Sequence, residues 1–320
     1  MSSDRDSLGV AFVVLSAIGF GLLGPLARWA SEIGFSVVSF AMWRAIASAV
    51  ALAVLLLVGV AAGRLRSTPW AAIPRFERAQ LAAMGVFVAG TTLALFSAFE
   101  RTTIALALMV FYTFPVIVAV AAVPLYGEHL GRRRIIALAL AGLGLLLLLA
   151  PGRQAGQPGL EVTGIFFALL AAACQVGYAL VAGRGFRSVP DMQSATILRT
   201  VSMLVYVVIL APLTVVAGAA GTLVEPVGSA QAWLLILVAG VLGAALPTAL
   251  LVAGYRRVGP SRGAVLMLVE PVTGVLLAAL VLQERPATSQ LAGIVLVLVG
   301  AALAQRMPGT SVLSSRPAVE

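Results

Sequence analysis

At 320 residues, with 61% hydrophobic and only 10% charged side chains and a mean hydropathy of +1.07, the chain carries more apolar surface than a water-soluble globule can bury. Soluble domains hold about 25% charged residues, so the class is a polytopic membrane protein. All 21 basic residues are arginine, and the formal charge of +9 sits in short loops between apolar runs, which excludes a nucleic-acid footprint.

Apolar runs of about 20 residues bounded by Arg, Pro or Gly predict an all-α membrane protein of ten transmembrane helices. They cover 8–31, 35–61, 78–99, 102–126, 131–150, 161–184, 190–216, 230–256, 259–282 and 287–306. The first reads as a retained helix, because MSSDRDS before it lacks the basic flank of a signal peptide. The segments 69–78, 152–159 and 222–229 read as Pro/Gly-bearing connections, and 308–320 as a disordered tail. With the amino terminus cytoplasmic, inside segments hold fifteen arginines, among them Arg132 to Arg134 and Arg256, Arg257 and Arg262. Outside segments hold only Arg28, Arg101, Arg153 and Arg285, so both termini are expected to be cytoplasmic in a multi-pass inner (plasma) membrane protein. The single cysteine, Cys174, lies in an apolar run and excludes an intramolecular disulfide.

The chain is duplicated. Arg101, Pro115, Glu128 and Gly144 each recur 156 residues later as Arg257, Pro271, Glu284 and Gly300, and Gly9, Phe12, Ala17 and Arg44 recur 155 residues later as Gly164, Phe167, Ala172 and Arg199. The halves are 8–150 and 161–306. Five helices per half is an odd number, so the second half is expected to enter the membrane inverted, giving two inverted five-helix repeats around a central cavity.

Arg44 and Arg199 are the arginines placed deep in apolar runs; Arg44, nine residues into its helix, lies ~13 Å deep. Such charges face a bundle interior or a wet cavity, where a guanidinium either binds a substrate carboxylate or pins helices by bonding freed carbonyls. Glu270 is the one acidic residue at that depth, a static partner for an arginine or a proton-coupling group. Pro115 and Pro271 delete helix bonds and free the carbonyls of Phe111 and Met267. Gly24 with Pro25, and Pro247 after Gly240 and Gly243, are placed to break the first and eighth helices, which makes these prolines and Gly24 candidate hinges. Gln175, Tyr178, Tyr112, Thr91, Thr92 and Trp43 are the remaining polar or aromatic groups at depth, either interhelical bonds or the lining of a cavity for an amphipathic solute. Glu128 and Glu284 read as interfacial carboxylates, and His129, in an Arg-rich loop, as neither ligand nor base.

These features together resemble EamA-type members of the drug/metabolite transporter superfamily. The carriers of the resemblance are the duplicated ten-helix layout, the arginine of the second and seventh helices, Pro115/Glu128 and Pro271/Glu284 at a spacing of thirteen, and the run LVEPVTGVLLAALVLQE. The resemblance implies pseudo-symmetric halves around a cavity, peripheral fifth and tenth helices that aid assembly, and export of amino acids or other metabolites, with aromatic and neutral amino acid exporters nearest. The first half departs from the second in having Phe114 where the second has Glu270, which argues against a symmetric two-carboxylate mechanism.

The expected function is secondary active transport of a small amphipathic metabolite, most concretely amino acid export by alternating access, with substrate contacts from Arg44, Arg199, Glu270, Gln175, Tyr178, Tyr112, Thr91 and Trp43. Expected partners are the small-molecule substrate, the lipid bilayer and, through Glu270, protons; no nucleic acid, cofactor or metal is expected, and the assembly state is a monomer or weak homodimer. The chain carries no HExxH run, paired catalytic aspartates or nucleotide-binding motif, so neither an intramembrane enzyme nor an ATP-driven pump is expected. A lipid flippase or channel-like permeation protein stays open as the alternative.

Overall fold

A computed structural model describes residues 2–99, 101–102, 104–127, 131–149, 162–216, 218–223, 228–281 and 287–305. The expectations for Glu128, His129, Glu284, Arg153, Arg285, the 152–159 connection and the 308–320 tail lie outside those residues. Among the described residues every regular element is helical. The first half runs α1 (Ser2–Gly21), α2 (Leu23–Glu32), α3 (Val37–Ala61), α4 (Arg75–Phe99), α5 (Ile104–Phe111), α6 (Phe114–Tyr126) and α7 (Arg132–Leu148). The second runs α8 (Val162–Arg184), α9 (Asp191–Val205), α10 (Ala211–Val216), α11 (Ala230–Gly240), α12 (Leu246–Val258), α13 (Pro260–Leu266), α14 (Val269–Val281) and α15 (Thr288–Gln305). Local chemistry sets several ends. Ser36 caps α3 by accepting from Ser39 N, and Ser229 caps α11 by accepting from Ala232 N, both at 3.1 Å. Gly259, at φ 80°, turns the chain out of α12, and Pro260 then opens α13 where a missing N–H costs nothing.

Taken end to end, these helices form eight stretches of 18–29 residues that are long and apolar enough to cross a bilayer. The other two expected spans are at or below the short end of that range: α7 has 17 residues, three of them arginines at its start, and α15 has 18. At 1.5 Å per residue α7 reaches only about 26 Å, short of a ~30 Å hydrocarbon core.

Several spans are interrupted near the prolines read above as kinks, hinges or breaks. The fourth divides at Tyr112 and Thr113, just ahead of Pro115, and the ninth at Met267 and Leu268, ahead of Pro271. The Met267 carbonyl, expected to be free, accepts from Glu270 N–H at 2.9 Å, so a tighter turn takes up the acceptor that proline leaves. The first span breaks at Leu22, next to Gly24 and Pro25. The seventh and eighth contain π-helical segments, Tyr206–Leu210 and Val241–Ala245, that periodicity did not announce. Arg134 and Arg262, expected in loops, are instead buried, on α7 and α13.

Contacts between the halves come in pairs that exchange under the repeat offset. α1 packs along α12 as α8 packs along α4, α3 crosses α9, and α7 lies along α15. Arg257 stacks on Phe12 at 5.2 Å, and its repeat-mate Arg101 stacks on Phe167 at 5.0 Å. Small residues let backbones meet: a Cβ on Gly144 would lie 2.7 Å from the Gly293 carbonyl oxygen, and one on Gly300 would lie 2.8 Å from that of Ala137. At the end of the bundle where α12 finishes, Asp191 pairs with Arg256 and, at 3.2 Å, with Arg257, while Glu77 of α4 accepts from the backbone N–H of Arg187 and Ser188. That end is therefore tied across three spans by charge-assisted bonds.

Candidate functional site

Arg44 sits two turns into α3, only 9% exposed. Gly240 of α11 lets the neighbouring span close on this turn, so close that a Cβ there would meet Ala47 at 2.5 Å. Among the described residues the Arg44 Nε has no hydrogen-bond partner. Arg199 on α9 is 5% exposed and is held on both sides: its Nε donates to Thr248 Oγ1 at 2.7 Å and its Nη2 to the Ala244 carbonyl at 3.3 Å. Ala244 belongs to the π-helical segment ahead of α12, the kind of local bulge that recurs at functional sites. The two guanidinium groups are near enough to repel, and Tyr206 lies beside both. Tyr206 follows Arg199 by seven residues, two helical turns, which puts both on one face. Its hydroxyl lies beside Thr92 without the geometry of a bond.

From the arginines a strip of buried tyrosines runs to the carboxylate. Tyr178 interacts with Arg199 and meets Tyr255 edge to face, with ring centroids 6.3 Å apart. Tyr255 in turn interacts with Glu270, and the Tyr112 hydroxyl is joined to the Glu270 carboxylate by a side-chain hydrogen bond. Tyr112 is wedged against Phe111 and Phe114, at 4.9 and 6.1 Å between ring centroids, so the first half supplies an aromatic wall where the second supplies a carboxylate. Glu270 stays partly exposed although the residues of α13 before it are all buried. Among the described residues Glu270 makes no ion pair with an arginine, so the static Arg–Glu pair weighed above is absent.

The structure thus brings Arg44, Arg199, Tyr178, Tyr112 and Glu270 into one strip. It does not join the others to it. Trp43 is turned toward the chain end of its helix, donating from Nε1 to the Leu223 carbonyl at 2.8 Å and stacking on Trp233. Gln175 is half-buried on α8, and Thr91 on α4 has a buried hydroxyl without a hydrogen-bond partner among the described residues. Each candidate hinge lies within a turn or so of a helix discontinuity, Pro247 in the first turn of α12. Sequence reasoning passed over Tyr206, Tyr255 and Thr248. A signal was present, because Arg199 and Tyr206, and likewise Thr248 and Tyr255, stand seven residues apart on one helix face.

An apolar helical bundle with duplicated halves and a strip of guanidinium, phenol and carboxyl groups inside it defines a multi-pass membrane protein of the solute-carrying kind. Residues 7–150 and 162–305 each match the EamA-like transporter family, and the chain belongs to that family. It is a transporter, in keeping with the drug/metabolite superfamily resemblance of its sequence. It is also similar to an uncharacterized transporter, YxxF, of Bacillus subtilis (strain 168), at 24% identity over 306 residues, covering 95% of this chain and 91% of the relative. A solved structure titled "Crystal structure of protein" has the same fold, with a TM-score of 0.67 at 23% identity over 96% of this chain and all of the other.

Proposed function

We propose that the chain is a secondary active exporter of a small amphipathic metabolite, an amino acid with a neutral or aromatic side chain. It works by alternating access between two inverted five-helix halves, ten spans in all, in the inner membrane with both termini cytoplasmic. One observation carries this reading: the strip from Arg44 to Glu270 has a guanidinium end and a carboxyl end inside a largely apolar bundle. Buried charges of this kind are costly unless paired, and a zwitterion offers a partner for each end. The tyrosine rings between the ends supply apolar faces for the side chain. Glu270, partnered by Tyr112 rather than by a fixed cation, is the group that links export to protons.

The purified chain in proteoliposomes, given an imposed pH gradient and a panel of labelled amino acids beside a fluorescent lipid, tests the reading. Saturable accumulation of neutral and aromatic amino acids that collapses with the gradient is the expected result. Lipid scrambling without solute accumulation, or a non-saturable leak indifferent to the gradient, would replace it with a flippase or a channel.

A further inference from the structure

The repeat relates Arg44 to Arg199 at an offset of 155, and Thr92 and Val88 to Thr248 and Ala244 at an offset of 156. In the second half the threonine hydroxyl and the carbonyl one turn before it both accept from the arginine. In the first half the corresponding two groups are closed on each other, with Thr92 Oγ1 donating to the Val88 carbonyl at 3.2 Å. The helices differ in the same place: α4 runs as unbroken α-helix through Val88 and Thr92, whereas the π-helical segment Val241–Ala245 precedes Thr248. Among the described residues Arg44, offered neither partner, keeps a buried Nε without an acceptor, and the buried Tyr206 hydroxyl beside it, facing Thr92, likewise has no partner in hydrogen-bonding geometry.

We infer that Arg44 and Tyr206 form a carboxylate-binding subsite and that Arg199 is a positioning residue locking α9 to α12. This division of labour rests on the transport reading above for its physiological substrate. A carboxylate has two oxygens and accepts from two donors at once, which matches one guanidinium edge and one phenol. Arg199 cannot serve equally without giving up Thr248 and Ala244. The repulsion between the two guanidinium groups then works for the site, since an anion on Arg44 relieves both.

Binding, measured on the purified full chain, tests this separately from transport. The probes are 3-phenylpropionate and phenethylamine, which share an apolar tail and carry opposite charges. Wild type is expected to bind 3-phenylpropionate, and Arg44→Gln to weaken that binding about tenfold or more while changing phenethylamine binding less than about twofold. Thr248→Val, which breaks the Arg199 lock and leaves the Arg199 charge in place, is expected to lower the melting temperature yet hold the 3-phenylpropionate affinity within about threefold. Should Arg44→Gln not fold, Arg44→Lys, which keeps the charge and loses the Nε donor, is expected to weaken the same binding about fivefold. No binding of 3-phenylpropionate by wild type, full affinity in the Arg44 variants, or a loss in Thr248→Val equal to that in Arg44→Gln each overturns the assignment. Failure of the transport reading looks different: 3-phenylpropionate still binds through Arg44, but no amino acid accumulates in vesicles.

Discussion

Replacing Thr248 with valine keeps the shape of a 2%-exposed side chain and removes one oxygen. Arg199 Nε then loses its 2.7 Å acceptor and keeps only the 3.3 Å bond from Nη2 to Ala244, the longer of the two. A hydrogen bond to a charged group contributes about 1.5–3 kcal/mol, so at a side chain this buried a loss of about 2 kcal/mol is expected. In a chain of this size that corresponds to a fall in melting temperature of roughly 4 °C. The repeat-related change, Thr92→Val, removes a hydroxyl that donates only to its own helix at 3.2 Å, to a carbonyl whose ladder position is already served. It is expected to stay within about 0.5 kcal/mol of wild type. Thr248→Ser, which restores the oxygen, is expected to recover most of the loss. Differential scanning fluorimetry of the four proteins in one detergent reads all of this. Equal falls in the two valine variants, or a serine variant as unstable as the valine, would refute the account of Arg199 as a lock.

Gly144→Ala places a methyl group 2.7 Å from the Gly293 carbonyl oxygen and should lower stability by about 1–3 kcal/mol, whereas Gly142→Ala, which meets nothing within 4 Å, should not; thermal melts of the pair check it. With Cys174 replaced by serine, cysteines introduced as Ala155→Cys and Arg132→Cys should label from opposite sides of sealed vesicles with an impermeant thiol reagent, and labelling from one side would remove the inverted arrangement. Glu270→Gln should abolish gradient-driven accumulation while sparing substrate exchange; accumulation unchanged under the gradient would end the proton role.

The duplication and the two buried arginines were legible because an offset in sequence survives without any knowledge of packing. The arginines' different fates were not, since Arg44 and Arg199 stand in comparable apolar runs and their partners come from other helices. What separates them is the π-helical segment at Val241–Ala245, where Gly240 and Gly243 lie close against α3 and Leu23 and which no local periodicity encodes. Breaks at Pro115 and Pro271 were foreseeable from the missing N–H, but the Met267 carbonyl found an acceptor's use one residue sooner than helix arithmetic suggested. Arg134 and Arg262 were misplaced because a charge near a helix start reads as a loop residue until neighbouring helices cover it.

The last helix of one half and the last helix of the other touch main chain to main chain, Gly144 on Gly293 and Gly300 on Ala137. Neither helix can advance along its partner without driving Leu145 or Leu296 into the slot a glycine now leaves open. α7 and α15 are thus keyed together like the two halves of a zip, a seam of main chain that ties the end of one repeat to the end of the other.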